Sequence, residues 1–362
     1  MKQINKILLI IQRSNGDVFF INTIVRILQD KYEFPIIDLI VNDDTLPLAS
    51  LIKGVRCIHT FSYDIKKQMP FRQELGILKK IFRKYDLSIN FTSSDRGNLY
   101  AIAASANSIS AVDEKSYIKS WWKRLLLRKF YFFSPGKHII ENNFQPLDIL
   151  GLRYSKESLE LITSEESQNR VMDLLNKKGI KRYIIFHPCA QYNYKTLSKE
   201  KIAELLNYLD SLGIKILVTG GSSEVDISIK KNLPKLQNIE DMIGEITLEE
   251  FIFLSKNSIC YIGMDTLNMH IAASQNKKVF AIFGPTMLNV WSPWSNNLKR
   301  CANHNQPIQH YGLNTLFQAD LPCVACGKAG CNDNHIVSEC LNSIDLSSVF
   351  YEIEKWLKNA KV

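Results

Sequence analysis

The sequence has no apolar run of the length that a membrane span needs. The run near its start, Ile7–Ile11, covers five residues, whereas a spanning helix needs roughly 20 apolar residues and a secretory signal also has a longer apolar core. We therefore interpret this run as a first strand. The expectation is a cytoplasmic protein, attached at most peripherally to a membrane surface.

Several other features are also missing. The sequence has no short-period repeat, no low-complexity tract and no three-glycine dinucleotide fingerprint. Its positive charge forms no nucleic-acid-binding motif and no stripe interleaved with aromatic residues. No nucleic-acid partner is expected.

The net charge of +9 is concentrated in one half of the chain. Residues 1–160 contain 24 Lys and Arg against 16 Asp and Glu, which accounts for +8 of the total. An anionic partner is therefore expected to meet the N-terminal half, unless the excess only solvates a surface.

The pattern of hydrophobic residues predicts an α/β fold. Short β-rich apolar runs alternate with amphipathic stretches, and this rhythm restarts near residue 183 after a junction at about 150–165. A chain of 362 residues also exceeds the usual size of a single core. We predict an N-terminal domain at 1–160, a C-terminal domain at 161–345 that includes a cysteine-rich loop, and a closing helix at 346–362.

The first turn with residues suited to binding or catalysis follows the first strand. It reads Arg13-Ser14-Asn15-Gly16-Asp17, and such a turn places backbone N–H groups and one carboxylate at the edge where open α/β sheets bind ligands. Alternatively, Asp17 only caps the helix or lies in its first turn.

Two similar turns occur in the second half. Phe186-His187-Pro188-Cys189-Ala190 ends a strand ahead of Lys195, and a later strand runs into the segment Gly220 to Glu224. A lysine in such a loop can neutralise a pyrophosphate, and a glycine turn at a helix start offers N–H donors to an anion. Each feature alone is also compatible with ordinary surface charge.

The most informative segment is Gly263–His270. A helix starting near Asp265 would place Asp265 and Thr266 at its positive end, where phosphates bind, and His270 inside the helix. Taken alone, an Asp-Thr helix start is more often a plain N-cap, and such a histidine is more often a core residue.

In order and spacing, these segments resemble glycosyltransferase family 9, the ADP-heptose-dependent lipopolysaccharide heptosyltransferases. The resemblance runs from Lys6 to about Cys340 and implies the GT-B architecture of two Rossmann-like domains facing a cleft. The matching segments are Gly16-Asp17, His187-Pro188-Cys189-Ala190 with Lys195, Gly220 with Glu224, Asp265-Thr266-Leu267-Asn268-Met269-His270, and Phe283–Thr286.

The sequence departs from the family pattern at four positions. Cys189 replaces a usual glycine, Leu197 replaces a common tryptophan, and Leu267 and Asn268 replace glycine and proline in the donor loop. Because Leu267 adds a side chain where backbone approaches the nucleotide sugar, these departures bear on the donor sugar more than on the reaction class.

The resemblance implies an inverting transfer that requires no cofactor for catalysis. Asp17 would be the base for the acceptor hydroxyl, and Lys195 with the helix start at Thr266 would stabilise the departing diphosphate. The donor residues expected from the matching segments are Lys195, Gly220, Glu224 (ribose), Asp265 (transferred sugar), Thr266, Leu267 and His270 (donor-loop support).

A cluster of cysteines near the C-terminus has the spacing of a metal site. Cys323, Cys326, Cys331 and Cys340 lie within eighteen residues, with His335 among them, and such thiolates can hold structural zinc or iron. In the resembling branch that heptosylates autotransporter proteins, iron is associated with a cysteine cluster. The alternative is that reduced, partly buried thiols stiffen this loop; a chain without a secretory signal is expected to keep them reduced.

The segment Ser120–Phe133 mixes basic and large apolar residues. It is a candidate to rest on an anionic membrane or to hold a phosphorylated lipid-linked acceptor. On a helical wheel its four cations spread around the circumference, which also fits an ordinary element of the acceptor domain.

Together these features predict transfer of a heptose from ADP-heptose to a lipopolysaccharide core acceptor at the cytoplasmic face of the inner membrane. Within the same class, the alternative is an autotransporter protein O-heptosyltransferase. From other classes, the alternatives are a nucleotide-sugar-binding protein without transfer activity and a GT-B-fold epimerase.

Overall fold

The computed structural model describes residues 3–69, 71–152 and 159–360. The chain divides into two compact units, residues 1–162 and 163–362. The sequence placed the boundary two residues earlier, and residues 153–158 of the expected junction lie outside the described residues, as do the last two residues of the expected closing helix.

The first unit contains six described strands and eight described helices. The strands are β1 (Lys6–Ile11), β2 (Ile36–Asn42), β3 (Val55–Phe61), β4 (Leu87–Asn90), β5 (Ser108–Val112) and β6 (Lys129–Phe132). The helices are α1 (Asn15–Lys31), α2 (Leu46–Ala49), α3 (Tyr63–Gln68), α4 (Arg72–Ile81), α5 (Asp95–Ala104), α6 (Glu114–Lys119), α7 (Trp121–Leu126) and α8 (Ile139–Ile149).

These strands form one parallel sheet in the order β3-β2-β1-β4-β5-β6. The central strand β1 is apolar and buried along nearly its whole length, as expected for a parallel sheet covered on both faces. Because the order reverses beside β1, the turn that follows β1 lies at the point where open α/β sheets bind ligands.

The second unit repeats this design. Its strands are β7 (Tyr183–His187), β8 (Lys215–Val218), β9 (Ile239–Asp241), β10 (Cys260–Met264), β11 (Lys278–Ile282), β12 (Ile308–Tyr311) and β13 (Asn314–Phe317). Its helices are α9 (Glu165–Lys177), α10 (Lys199–Ser211), α11 (Glu224–Lys231), α12 (Leu248–Asn257), α13 (Leu267–Ser274), α14 (Leu288–Trp291), α15 (Glu339–Asn342) and α16 (Leu346–Asn359).

The second sheet has the order β12-β13-β11-β10-β7-β8-β9, and it is parallel except for the β12–β13 hairpin. Its core includes the closing helix α16, whose Val349 and Ile353 are fully buried. Strands β10, β7 and β8 are neighbours, so the loops that leave their carboxyl ends are brought together. The predicted donor residues lie in those loops or in the helices that follow them.

Two local expectations differ from the structure. Helix α13 begins at Leu267 and not at Asp265, so Asp265 follows β10 in the loop and Thr266 is the N-cap. The basic aromatic segment is not one helix: it contains α7 and then β6, which pairs with β5. Of the helices that the structure describes, none has the length and apolarity of a membrane span.

Candidate functional site

The predicted base lies at the carboxyl end of β1, in the first turn of α1. Asp17 is 2% exposed, and its Oδ2 accepts hydrogen bonds from Ser14 N at 3.2 Å and Ser14 Oγ at 2.7 Å. Because Ser14 is the N-cap of α1, Asp17 has the helix-capping contacts that were the alternative interpretation of this residue. Its role as a base stays a prediction.

Arg13 is the partner of Asp17 that the sequence reasoning missed. Its Nε lies 2.7 Å from Asp17 Oδ1. Burial raises the pKa of Asp17, and the charge of Arg13 with the bonds from Ser14 lowers it. One feature of the sequence could have indicated this pair: Arg13 and Asp17 are four residues apart in the turn between β1 and α1.

The second unit joins two of the predicted donor residues directly. Lys195 ends a short 3-10 turn, Asn193–Lys195, and its Nζ lies 3.1 Å from Asp265 Oδ2. Asp265 is nearly buried, whereas the lysine side chain is 28% exposed. The lysine side chain is thus only partly covered, whereas its partner carboxylate is buried.

The protonation of Lys195 follows from this pairing. Burial by itself would lower the pKa of Lys195, but the charge and hydrogen bond of Asp265 raise it above its usual value. The lysine is therefore cationic at neutral pH, as stabilisation of an anionic leaving group requires.

A second network links β7, β8 and α13. His187 Nδ1 lies 2.9 Å from Thr219 Oγ1, and Asn268 Nδ2 lies 3.3 Å from the same ring nitrogen. Burial lowers the pKa of His187 to about 4, so the ring is neutral. Asn268, which departs from the family pattern, thus makes a contact to the His-Pro turn that a proline could not make.

His270 lies inside α13, as the sequence predicted. Burial lowers its pKa to about 4, Asp265 raises it and Lys195 lowers it further. The charges of both members of the Lys195–Asp265 pair therefore act on the neutral ring of His270. The ring also approaches Trp291, with centroids 6.3 Å apart.

The start of α13 has no side-chain cap from its N-cap residue. The Thr266 side chain makes no hydrogen bond that caps the helix, and Leu267, which replaces a family glycine, occupies the first helical position and is partly buried. The first backbone N–H groups of the helix therefore lack a side-chain cap from Thr266.

Two glycines are required by close packing. A Cβ on Gly220 would lie 2.5 Å from Cys189 Sγ, and a Cβ on Gly263 would lie 2.6 Å from the carbonyl oxygen of His187. Cys189, which replaces a family glycine, is buried and packs its sulfur against Gly220. Leu197, which replaces a family tryptophan, is buried in the core of this unit.

Glu224 opens α11 after the Gly220 turn. The helix is capped by Ser223 and Asp226, with Ser223 Oγ donating to Asp226 Oδ2 at 2.7 Å. The carboxylate of Asp226 is therefore engaged in the helix cap, whereas the carboxylate of Glu224 is exposed at the positive end of the helix.

The expected zinc or iron site is not formed among the described residues. No group of three or more His, Cys, Asp or Glu side chains within 3–69, 71–152 and 159–360 is placed to hold a metal ion. Cys323 and Cys326 are exposed and Cys340 is buried. Burial, with a smaller contribution from Cys331, Cys326 and Cys323, raises the pKa of Cys340 to about 11, so this group is a thiol at neutral pH.

The cysteine-rich segment instead packs against the donor turns. Ser338 Oγ donates to the carbonyl oxygen of Tyr194 at 2.7 Å, next to Lys195. Gly327 N donates to Pro285 O at 2.7 Å, and a Cβ on Gly284 would lie 2.8 Å from Leu341. The segment therefore holds both the lysine loop and the Phe283–Thr286 turn.

The basic aromatic segment presents an apolar surface with positive charge. Trp121 and Leu125 are each 70% exposed, and Arg124 and Arg128 are exposed beside them. Lys123 is an exception, because it is buried and pairs with Asp95 at 2.6 Å. Exposed apolar patches of this kind mark interaction surfaces.

Comparison with known proteins agrees with this architecture. The family model described as glycosyltransferase family 9 (heptosyltransferase) matches residues 77–318. Lipopolysaccharide heptosyltransferase 3 of Escherichia coli is 23% identical over 294 residues, which cover 79% of this chain and 85% of that protein. Lipooligosaccharide heptosyltransferase 2 of Campylobacter jejuni is 24% identical over 299 residues, which cover 82% of this chain and 80% of that protein.

A solved structure shows the same fold. The structure of E. coli ADP-heptose lps heptosyltransferase II aligns with a TM-score of 0.71 and 18% identity, over 99% of this chain and 100% of that chain. Two mostly parallel sheets covered by helices therefore give the GT-B fold. Since the family model covers about two thirds of the sequence, the chain belongs to glycosyltransferase family 9, the heptosyltransferase family.

Proposed function

We propose that the protein transfers a heptose from ADP-heptose to a lipopolysaccharide core acceptor, with inversion at the anomeric carbon. The observation that carries this proposal is the Lys195–Asp265 pair at the start of α13. Support also comes from the relatives, whose names specify heptosyl transfer to lipopolysaccharide or lipooligosaccharide. Heptosyl transfer is the activity on which these relatives agree.

The donor is held by residues of the second unit. Lys195 and the backbone N–H groups after Thr266 bind the diphosphate, since a cation and a helix start both favour anions. Exposed Glu224 accepts bonds from the ribose hydroxyls, and Asp265 accepts bonds from hydroxyls of the transferred sugar. Gly220 lets the donor approach the backbone closely, and Leu267 lines the pocket for the transferred sugar. Neutral His270, one turn further along α13, supports the loop that contains Asp265 and Thr266.

The chemical step is a direct displacement. Asp17 takes the proton of the acceptor hydroxyl as its oxygen bonds to the anomeric carbon, while the bond from that carbon to the diphosphate oxygen breaks and ADP leaves. Burial raises the pKa of Asp17, which suits a carboxylate that must accept a proton near neutral pH. The charge that develops on the diphosphate is met by Lys195, so this proposal assigns no step to a metal ion or other cofactor.

The two units divide this work. Residues 1–160 form the acceptor-binding domain, because they contain Asp17 and nearly all of the net positive charge. Residues 161–345 form the nucleotide-sugar-binding domain with the cysteine-rich loop, and the helix in 346–362 completes its core.

We further propose that the protein works at the cytoplasmic face of the inner membrane and contacts it through the surface around Trp121 and Leu125. Exposed apolar side chains flanked by Arg124 and Arg128 suit a surface of anionic lipid. In co-sedimentation, vesicles with one third phosphatidylglycerol should retain the protein, and Trp121→Ser with Leu125→Ser should release it. Leu313→Ser, which changes an exposed leucine of the second unit, is the matched control. Equal retention of all three proteins would remove this surface from the proposal.

A product assay tests the function. The protein is incubated with ADP-heptose and either a truncated lipopolysaccharide or an unmodified autotransporter passenger domain, and products are identified by mass spectrometry. The proposal expects a gain of one heptose on the saccharide acceptor. Transfer to the passenger domain alone would favour the protein-modifying alternative, and conversion of the nucleotide sugar without any transfer would favour an epimerase.

A further inference from the structure

The turn between β1 and α1 contains an ion pair that the proposed chemistry has not used. Arg13 Nε lies 2.7 Å from Asp17 Oδ1, with the arginine side chain 24% exposed and the aspartate 2% exposed. A buried carboxylate with one adjacent guanidinium depends strongly on that partner, because little water is present to replace it.

Arg13 is itself held in place by two other elements. Its guanidinium carbon lies 4.5 Å from the centre of the Phe133 ring, just after β6, which is a cation–π distance. Asn42, at the end of β2, donates from Nδ2 to the carbonyl oxygen of Arg13 at 3.3 Å. Both the side chain and the backbone of the arginine are therefore fixed.

The other carboxylate oxygen is fixed within the same turn. Ser14 N and Ser14 Oγ both donate to Asp17 Oδ2. Arg13 pairs with one oxygen and Ser14 donates to the other, so contacts on both oxygens restrict the rotation of the carboxylate.

The charges around Asp17 show how Arg13 affects the pKa of this carboxyl. Burial raises the pKa of Asp17, and Arg13 provides the largest opposing influence. On β6, burial raises the pKa of Tyr131 while Arg13 lowers it, so this phenol is neutral and adds no second charge. Arg13 is thus the cation that opposes the effect of burial on the pKa of this carboxyl.

We propose that Arg13 is a positioning residue for the transfer reaction: it pairs with the buried carboxyl of Asp17 and orients it to accept the proton of the acceptor hydroxyl. This inference rests on the proposed role of Asp17 as base. It assigns to Arg13 a function that acts through Asp17.

The test compares pH profiles of kcat/KM for the acceptor. Arg13→Met keeps an unbranched side chain in place of the arginine stem and removes the guanidinium and its charge. The acid limb should therefore move to higher pH by at least one unit, and kcat at neutral pH should fall at least tenfold. Arg13→Lys restores a charge without the planar fork and should recover part of both effects. Phe133→Leu removes the ring beneath the guanidinium and should give a smaller shift in the same direction.

The control is Lys31→Met, which removes an exposed cation from the last turn of α1 and should leave the profile unchanged. An acid limb at the wild-type pH in both Arg13→Met and Phe133→Leu would overturn the proposal, whatever their overall rates. If Arg13→Met does not fold, Arg13→Lys and Phe133→Leu still decide the question.

Asp17→Asn separates the two proposals. Substantial transfer by this variant would show that Asp17 is not the base, and the proposed mechanism would then be wrong. Loss of transfer in Asp17→Asn together with a wild-type acid limb in the Arg13 variants would contradict the role of Arg13 alone.

Discussion

Lys195 and Asp265 are separated by 70 positions in the sequence, yet Nζ of the lysine lies 3.1 Å from Oδ2 of the aspartate. The contact forms because β7 and β10 are neighbours in the sheet, and their carboxyl-end loops carry the two residues to the same edge. An ammonium held by one carboxylate keeps its charge, and this lysine side chain is 28% exposed.

The first prediction concerns this pair. Lys195→Ala should lower kcat/KM for ADP-heptose by about 10- to 100-fold, because a charged hydrogen bond of about 1.5–3 kcal/mol to the diphosphate is lost. Steady-state kinetics with varied donor measure the effect. Lys199→Ala, an exposed lysine at the start of α10, is the matched control and should behave as wild type. Equal losses in both variants would mean that general positive charge, and not this pair, determines donor use.

The second prediction uses the packing of Cys189 against Gly220. Gly220→Ala should destabilise the fold by about 1–3 kcal/mol, since its new Cβ would lie 2.5 Å from Cys189 Sγ. Cys189→Gly, which restores the usual family residue, should remove much of this penalty in the double variant. Urea denaturation of the four proteins in this cycle gives the coupling, and strictly additive changes would contradict the packing.

The third prediction concerns acid stability. His187 and His270 have pKa values lowered to about 4 in the folded chain, against 6.5 for an unperturbed histidine. Between these values the unfolded chain binds more protons, so the free energy of unfolding should fall as pH drops from 6.5 towards 4. The slope is at most about 1.4 kcal/mol per pH unit for each histidine. The contribution of both histidines should fade over about one pH unit above 6.5, as the unfolded chain loses these protons.

Urea titrations at a series of pH values measure this slope. His270→Asn cannot titrate, so its slope between pH 6.5 and 4 should be smaller than that of the wild type. An unchanged slope would show that the pKa of His270 is the same in the folded and unfolded chains, which would contradict the lowered value.

The fourth prediction concerns the cysteine-rich segment. Ser338→Ala removes the hydrogen bond to the Tyr194 carbonyl oxygen and should loosen the loop that carries Lys195. One such bond corresponds to about 0.5–1.5 kcal/mol, so the donor KM should rise about 2- to 10-fold with little change in kcat. Ser347→Ala at the start of α16 is the control. An unchanged donor KM would show that the segment does not position the lysine.

Much of this fold is readable in the sequence because parallel strands buried on both faces are continuous apolar runs. The runs at β1, β7 and β10 stand out in this way, and their following turns contain Asp17, Lys195 and Asp265. The sequence pattern did not indicate the short strand β6. This strand has only four residues, and its exposed ends resemble the loop before it. The start of α13 was placed two residues early, because Asp265 has the composition of a cap but pairs with Lys195 instead.

Contacts between distant residues were less accessible to sequence reasoning. The metal site at Cys323, Cys326, Cys331 and Cys340 was predicted from their spacing in the sequence alone. Spacing does not determine whether the four sulfur atoms lie close together in the folded chain. In the described part of the chain they form no ligand set. Asn268 illustrates the opposite case: its contact with His187 depends on β7 and α13 being adjacent, and no local pattern indicates it.

The measurement that tests the central claim most directly is a paired assay of Asp17→Asn. Heptose transfer from ADP-heptose to truncated lipopolysaccharide is followed by mass spectrometry, and binding of ADP-heptose is measured by calorimetry. The account predicts that the wild type transfers one heptose, and that the variant binds the donor with wild-type affinity but forms no product. Product formation by Asp17→Asn at a rate near that of the wild type would contradict it.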